Sequence, residues 1–351
     1  NFFQLGGDSI LSLQVISRAK TQGLPLTPRH LFQHQTIAEL AEAAGGIEGT
    51  HSQPKPGVRA QRPTDPALLE SVRRLYPGAE DVYPLTPLQQ GLLFHSLYEP
   101  QSGVYIEQLS CLLRGPLDHA SFLQAWQMVI ARSTPLRTAF MWHELDRPMQ
   151  VVLPAEAPPI IELDWRDAPE TNQHERLQEF LRNDRLRDFD LTRPPLMRLA
   201  LIRIADDARY LVWTHHHIVL DGWCLPIILS DLFACYVFSN GGPDPAEPPS
   251  QAYRHYVEWI LSQDQTAAEQ YWRKALAGIT SITPLPVDRS LDDVQPDSSY
   301  GMHRLTISAA RTSALQAYAS KERITVNTLV QGAWALLLSR YSGEEDVLFG
   351  T

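Results

Sequence analysis

The 351 residues are 44% hydrophobic and 20% charged, a balance that suits a globular protein of two or more domains and argues against a disordered or fibrous chain. The formal net charge is −10, with Lys and Arg scattered, which argues against nucleic-acid partners; no apolar run approaches the ~20 residues that span a bilayer, so no membrane partner is expected. Cys111, Cys224 and Cys235 form no CxxC spacing, which argues against a disulfide framework or a thiolate zinc site and favours a reducing cytoplasm.

The chain opens on "NFFQLGGDSI" without an initiating Met and stops at "DVLFGT", which reads as a strand cut short, so an excerpt of a larger protein is expected. Helical patterns follow at "SILSLQVISRAK" after Ser9, around "TPRHLFQ", and at "TIAELAEAA" from Thr36. They predict a small all-α bundle over residues 1–44 whose first helix is absent. Residues 45–66 hold four prolines and four glycines and read as a linker, which as a flexible chain would span roughly 25 Å.

Residues 67–351 alternate helices with strands. "TPLQQGLLFHSLY" is a helix with Thr86 as N-cap, Pro87 at its first position, and Leu88, Leu92, Leu93 and Leu97 on one stripe. "HASFLQAWQMVIAR" is a helix and "LRTAFMWHE" a strand; "LMRLALIRI" and "RYLVWTHH" form a hairpin across "ADDA". A helix is expected over roughly 223–238, with Pro226 tolerated in its first turn. The polar stretch 239–250 separates an N-lobe of about 80–240 from a C-lobe of about 251–351. Helices are expected at 251–262, at 265–277 and along "TVNTLVQGAWALLLSRYSG", then a final strand "EDVLFG".

Two stretches carry chemistry. Ser9 follows a glycine turn and opens a helix, where a hydroxyl can cap the helix for ~1 kcal/mol or bear an anionic phosphodiester favoured by free amides and the helix dipole. In "WTHHHIVLDGW", residues 213–223, the imidazoles have three possible duties: metal binding, structure in a polar core, or proton handling. Adjacent strand residues face opposite ways and no remote ligand completes a shell, so metal is disfavoured. His215 suits the polar core. His217 stands where strand gives way to helix, and an imidazole there can take or relay a proton near neutral pH. Asp221 can fix the loop or an imidazole tautomer.

"FFQLGGDSILSLQVISRA" resembles the carrier (thiolation) domains of nonribosomal peptide synthetases, and "HHIVLDG" resembles the HHxxxDG signature of their condensation domains, relatives of chloramphenicol acetyltransferase. "YPLTPLQQGLLFH", "RSTPLRTAF" and "AYRHYVEW" resemble further motifs of those domains, with Ser133 in place of the usual histidine of RHxxLRT. The resemblance implies a multidomain chain: a carrier bundle, then an α/β two-lobed, chloramphenicol acetyltransferase-like condensation domain with an incomplete C-lobe. It implies 4'-phosphopantetheine on Ser9 and an acyltransferase-type reaction in which an aminoacyl amine attacks a carrier thioester to form a peptide bond. His217 would be the base or position the amine. His216 and Asp221 would be structural, Asp221 paired with Arg137, and Gly222 would permit a tight turn or close backbone approach. The implied partners are a downstream aminoacyl carrier, an upstream adenylation domain and a phosphopantetheinyl transferase. An epimerisation-type domain or an inactive docking domain of the same superfamily is the alternative.

Overall fold

The structure, a computed structural model, describes residues 36–45, 66–98, 103–142, 147–245, 253–279 and 305–350, together with residues 15, 19, 24, 26, 30, 34, 283 and 284. Ser9, linker residues 46–65 and, apart from Val15 and Ala19, the helix expected after Ser9 lie outside these. The chain divides into two compact units, one of Val58–Asp264 and one of Asn1–Gly57 with Gln265–Thr351.

Helix α1, Ile37–Gly45, starts as the Thr36 signal predicts. The Thr36 hydroxyl accepts from the Glu39 N–H at 3.2 Å, and the Glu39 carboxylate accepts from the Thr36 N–H at 3.1 Å, so two orphan donors are satisfied reciprocally. Leu40 and Ala44 turn the apolar side of this helix onto Leu26.

The unit Val58–Asp264 is built on two sheets. The first contains β1 (Asp81–Pro84), β3 (Thr138–Met141) and β4 (Met149–Val152) in the order β1-β4-β3, antiparallel throughout. Alternation along these strands gives each face its own helix. Val82, Ala139 and Val151 pack under Val72 of α2 (Pro66–Leu75), whereas Tyr83 and Val152 meet Tyr253 and Val257 of α7 (Tyr253–Leu261). Helix α7 therefore packs on the first sheet, although the proline-containing stretch before it predicts a lobe boundary there.

The second sheet has β2 (Ile106–Arg114), β5 (Ile160–Asp164), β6 (Met197–Ala205) and β7 (Ala208–His216) in the order β2-β7-β6-β5. Strands β6 and β7 form the expected antiparallel hairpin, and β5 joins β6 in parallel. Leu199, Leu201, Leu211 and Trp213 face α4 (His119–Arg132) and α6 (Cys224–Ser239); Ala200, Ile202 and Val212 face Leu177, Phe180 and Leu181 of α5 (Glu170–Arg185). With both faces covered, β6 and β7 read as near-continuous apolar runs. Trp126 of α4 meets Trp213 edge to face at 5.2 Å, both rings fully buried.

Helix α3 (Pro87–Tyr98) begins at Pro87 as predicted, but Leu88 is 74% exposed and only Leu92 and Leu93 of the expected stripe reach the core. "LRTAFMWHE" divides: Leu136 and Arg137 lie in a 3-10 turn, Thr134–Arg137, before β3 begins. In the second unit, α8 (Gln265–Ala275), α9 (Ala309–Lys321) and α10 (Val326–Ser342) are helical, and α10 ends on Gly343 at φ 77°, where a left-handed residue suits glycine. The terminal segment "EDVLFG" is not a strand. Its Leu348 N–H donates to the Thr283 hydroxyl at 2.7 Å, and no neighbouring strand pairs with it among the described residues.

Candidate active site

The three histidines leave β7 into three different environments. His215, opposite Met197 on β6, points into the core beside Trp213, ring centroids 5.0 Å apart. Burial, with help from the neighbouring imidazoles, pulls its pKa from 6.5 down to about 4, so it is neutral near pH 7.

His216 is buried, and its tautomer follows from its partners. The Ile218 N–H donates to Nδ1 at 3.0 Å, so that nitrogen carries the lone pair. Nε2 therefore bears the proton and donates it to the Ser96 hydroxyl at 3.1 Å, whose own proton goes to the Leu92 carbonyl at 2.8 Å. Burial lowers its pKa to about 4 as well. A neutral ring with both nitrogens engaged ties α3 to the loop.

His217 takes the opposite tautomer. Nδ1 lies 2.7 Å from the Leu220 carbonyl, which can only accept, so Nδ1 holds a proton and, in the neutral ring, Nε2 has the lone pair. The ring is half-buried, its face 6.5 Å from that of Tyr105 at 27°, and its backbone N–H donates to the Tyr105 carbonyl at 2.8 Å. Nε2 has no hydrogen-bond partner among the described residues. The turn is closed by Val219 N–H to the His216 carbonyl, and Ile218, Val219 and Leu220 are buried. The three rings do not converge, and among the described residues no group of three His, Cys, Asp or Glu side chains is placed to hold a metal ion.

Asp221 is exposed and its bonds are local. Oδ1 accepts from the N–H groups of Trp223 and Cys224 at 3.0 and 3.1 Å, satisfying donors at the start of α6. The expected pair with Arg137 does not form. Arg137 donates instead to Glu80 at 2.5 Å and to the Leu153 carbonyl at 2.6 Å, fastening the ends of the first sheet. Nor does Gly222 answer the expectation placed on it: its φ is not positive, and a Cβ there would meet no atom within 4 Å.

Sequence reasoning did not find Ser96, Tyr105, Gln89 or Gln150. Gln89 left one signal, since Thr86-x-x-Gln89 has capping-box spacing ahead of an apolar run. Ser96, Tyr105 and Gln150 left none, because their roles depend on residues far along the chain, or on backbone shape.

Known proteins resemble this chain in sequence and in fold. A family model described as "Condensation domain" matches residues 79–351, and one described as "Phosphopantetheine attachment site" matches residues 1–44. A component of the linear gramicidin synthase of Brevibacillus parabrevis is 42% identical over 272 residues, covering 77% of this chain and 5% of that protein. Chondramide synthase cmdD of Chondromyces crocatus is 34% identical over 404 residues, covering 98% of this chain and 10% of that protein. The chain thus spans a tenth or less of these relatives' length. The first condensation domain of the calcium-dependent antibiotic synthetase, solved with a substrate analogue, matches with a TM-score of 0.60 at 22% identity, covering 76% of this chain and 63% of that one. That likeness bears out the expected chloramphenicol acetyltransferase-like fold, and the attachment domain implies a covalent 4'-phosphopantetheine on a serine. The chain belongs to the condensation-domain family of the nonribosomal peptide synthetases, with a phosphopantetheine-bearing carrier domain ahead of it.

Proposed function

We propose that this chain forms a peptide bond between a donor acyl group held by its own carrier and the amine of an aminoacyl group on a downstream carrier, with Ser9 as the attachment site and His217 as the residue that meets the amine. The phosphopantetheine arm supplies the donor as an already activated thioester. The observation that carries the reading is the His217 imidazole: Nδ1–H is committed to the Leu220 carbonyl, so the lone pair of Nε2 faces no competing donor among the described residues. As the amine nitrogen bonds to the donor carbonyl carbon and the carbon–sulfur bond breaks, Nε2 holds or accepts the proton that the nitrogen sheds and can return it to the departing sulfur. Proton transfer of this kind contributes ~10² to 10⁴-fold, and alignment of two tethered reactants contributes more. His216 and Asp221 are scaffold in this scheme, since their polar atoms serve Ser96, Ile218 and the start of α6.

Chain order makes the carrier the donor. The same reading places an adenylation domain upstream, a phosphopantetheinyl transferase as the modifying enzyme, and the whole in the cytoplasm. The test uses the chain within its synthetase, loaded on Ser9, with an aminoacylated downstream carrier and intact-mass detection. His217→Ala is expected to keep the parent's thermal midpoint and lose product, and Ser9→Ala to take up no arm from coenzyme A. Product at the parental rate from His217→Ala would remove the base or positioning role from His217. Label accumulating on Ser9 while the added carrier empties would reverse the direction.

A further inference from the structure

We propose that Gln89 is a positioning residue for His217, through the carbonyl of Ile218; the consequence for turnover rests on the function proposed above, whereas the effect on the imidazole does not. Gln89 is 5% exposed at the start of α3 and Gln150 is 1% exposed on β4. Their amides pair face to face. Nε2 of Gln89 donates to Oε1 of Gln150 at 3.0 Å, and Nε2 of Gln150 donates to Oε1 of Gln89 at 2.9 Å. Flanking groups fix both orientations. The Thr86 N–H can only donate and lies 3.1 Å from Oε1 of Gln89, while the carbonyls of Ile218 and Pro84 can only accept and lie 3.2 and 3.0 Å from Nε2 of Gln89 and Gln150.

All four amide hydrogens are therefore used, and three parts of the fold meet at one side chain. Gln89 closes the capping box of α3 with Thr86, whose hydroxyl accepts from the Gln89 N–H at 3.2 Å. It joins β4 through Gln150. It also reaches 129 residues along the chain to the carbonyl next after His217. The peptide groups flanking Ile218 are thereby held on both sides, the N–H by Nδ1 of His216 and the C=O by Gln89. That residue sits between His217 and Leu220, whose carbonyl fixes the His217 proton on Nδ1. If its backbone rotates, the distance from Nδ1 to Leu220 changes, and with it the tautomer that leaves Nε2 unprotonated.

Two matched substitutions separate positioning from bulk stability. Gln89→Glu keeps the size and the acceptor for Thr86 but sets an oxygen against the Ile218 carbonyl; Gln150→Glu puts the same carboxylate into the same pair while leaving the Gln89–Ile218 bond. The probe is the full chain with ¹⁵N-labelled histidine, read at pH 7 for the His217 ring nitrogens. In the parent and in Gln150→Glu, Nδ1 is expected to give a protonated-type signal; in Gln89→Glu it should move toward a tautomer average. In the synthetase, kcat of Gln89→Glu should fall about 10- to 100-fold with KM within about twofold. Gln89→Met and Gln150→Met repeat the comparison without a buried charge if either Glu variant fails to fold. An unchanged His217 signal in the Gln89 variants, or equal movement in both series, overturns the proposal. A His217→Ala enzyme that still condenses would defeat the base reading and leave the tautomer result standing.

Discussion

Tyr105 has a φ of 65°, a left-handed backbone in which a Cβ crowds the following carbonyl at a cost of roughly 1–2 kcal/mol. A strained residue persists where its surroundings over-determine it. Here the twist precedes β2 and brings the Tyr105 carbonyl to the His217 N–H and the ring to the His217 face. Two substitutions isolate the backbone contribution, since both remove the ring. Tyr105→Asn tolerates the left-handed region, whereas Tyr105→Val, branched at Cβ, does not. In urea unfolding, Tyr105→Val should be about 1–2 kcal/mol less stable than Tyr105→Asn; equal stabilities would mean that the variants abandon the twist and the carbonyl with it.

Helix α6 shows what capping does for an element whose N-cap, Trp223, has no side-chain acceptor. Asp221, two residues earlier, supplies it, and a carboxylate there also meets the positive end of the helix dipole. Asp221→Ala should therefore cost about 1 kcal/mol, the usual value of a cap, not the ~3–5 kcal/mol of breaking a buried ion pair. Asp221→Asn should recover most of it; a loss for Asp221→Ala at the ion-pair level would restore a buried partner for the carboxylate. Legibility followed the same division between local and distant causes. The α4 and α6 helices and the β6–β7 hairpin were readable because long, largely apolar runs are bounded by polar residues and turns such as "ADDA". Strand β5 was not, being short with mixed burial, nor was α5, where Leu177, Phe180 and Leu181 stand among charged residues. The position of His217 was readable from HHxxxDG, but its tautomer was not, because it is set by the Leu220 carbonyl, which only the folded turn brings to Nδ1.

At the scale of the compact unit Val58–Asp264, the site rests on polar groups that the fold has taken out of water in neutral form. His215 and His216 lie on opposite sides of the β7 backbone, each within the packing that joins the strand to its neighbouring helices, and the fold tolerates them there because both stay uncharged. Their folded pKa values of about 4 lie below the ordinary 6.5, so in the intervening range the unfolded chain binds protons that the folded chain refuses. Stability is then fully present above pH 6.5 and is lost as the pH falls from 6.5 through about 4. The limiting slope is about 1.4 kcal/mol per pH unit for each histidine, so the pair makes the unit acid-sensitive well above the range in which most carboxylates protonate. His216→Asn keeps an acceptor for the Ile218 N–H but cannot titrate. Urea midpoints measured every half unit from pH 7.5 to pH 5, on parent and variant, should show the parent losing stability steadily below pH 6.5. The variant should lose it with about half the slope, even if it is less stable at pH 7.5. Parallel curves for the two proteins would show that His216 is not held neutral by the fold, and would withdraw the tautomer assignment that sets it apart from His217.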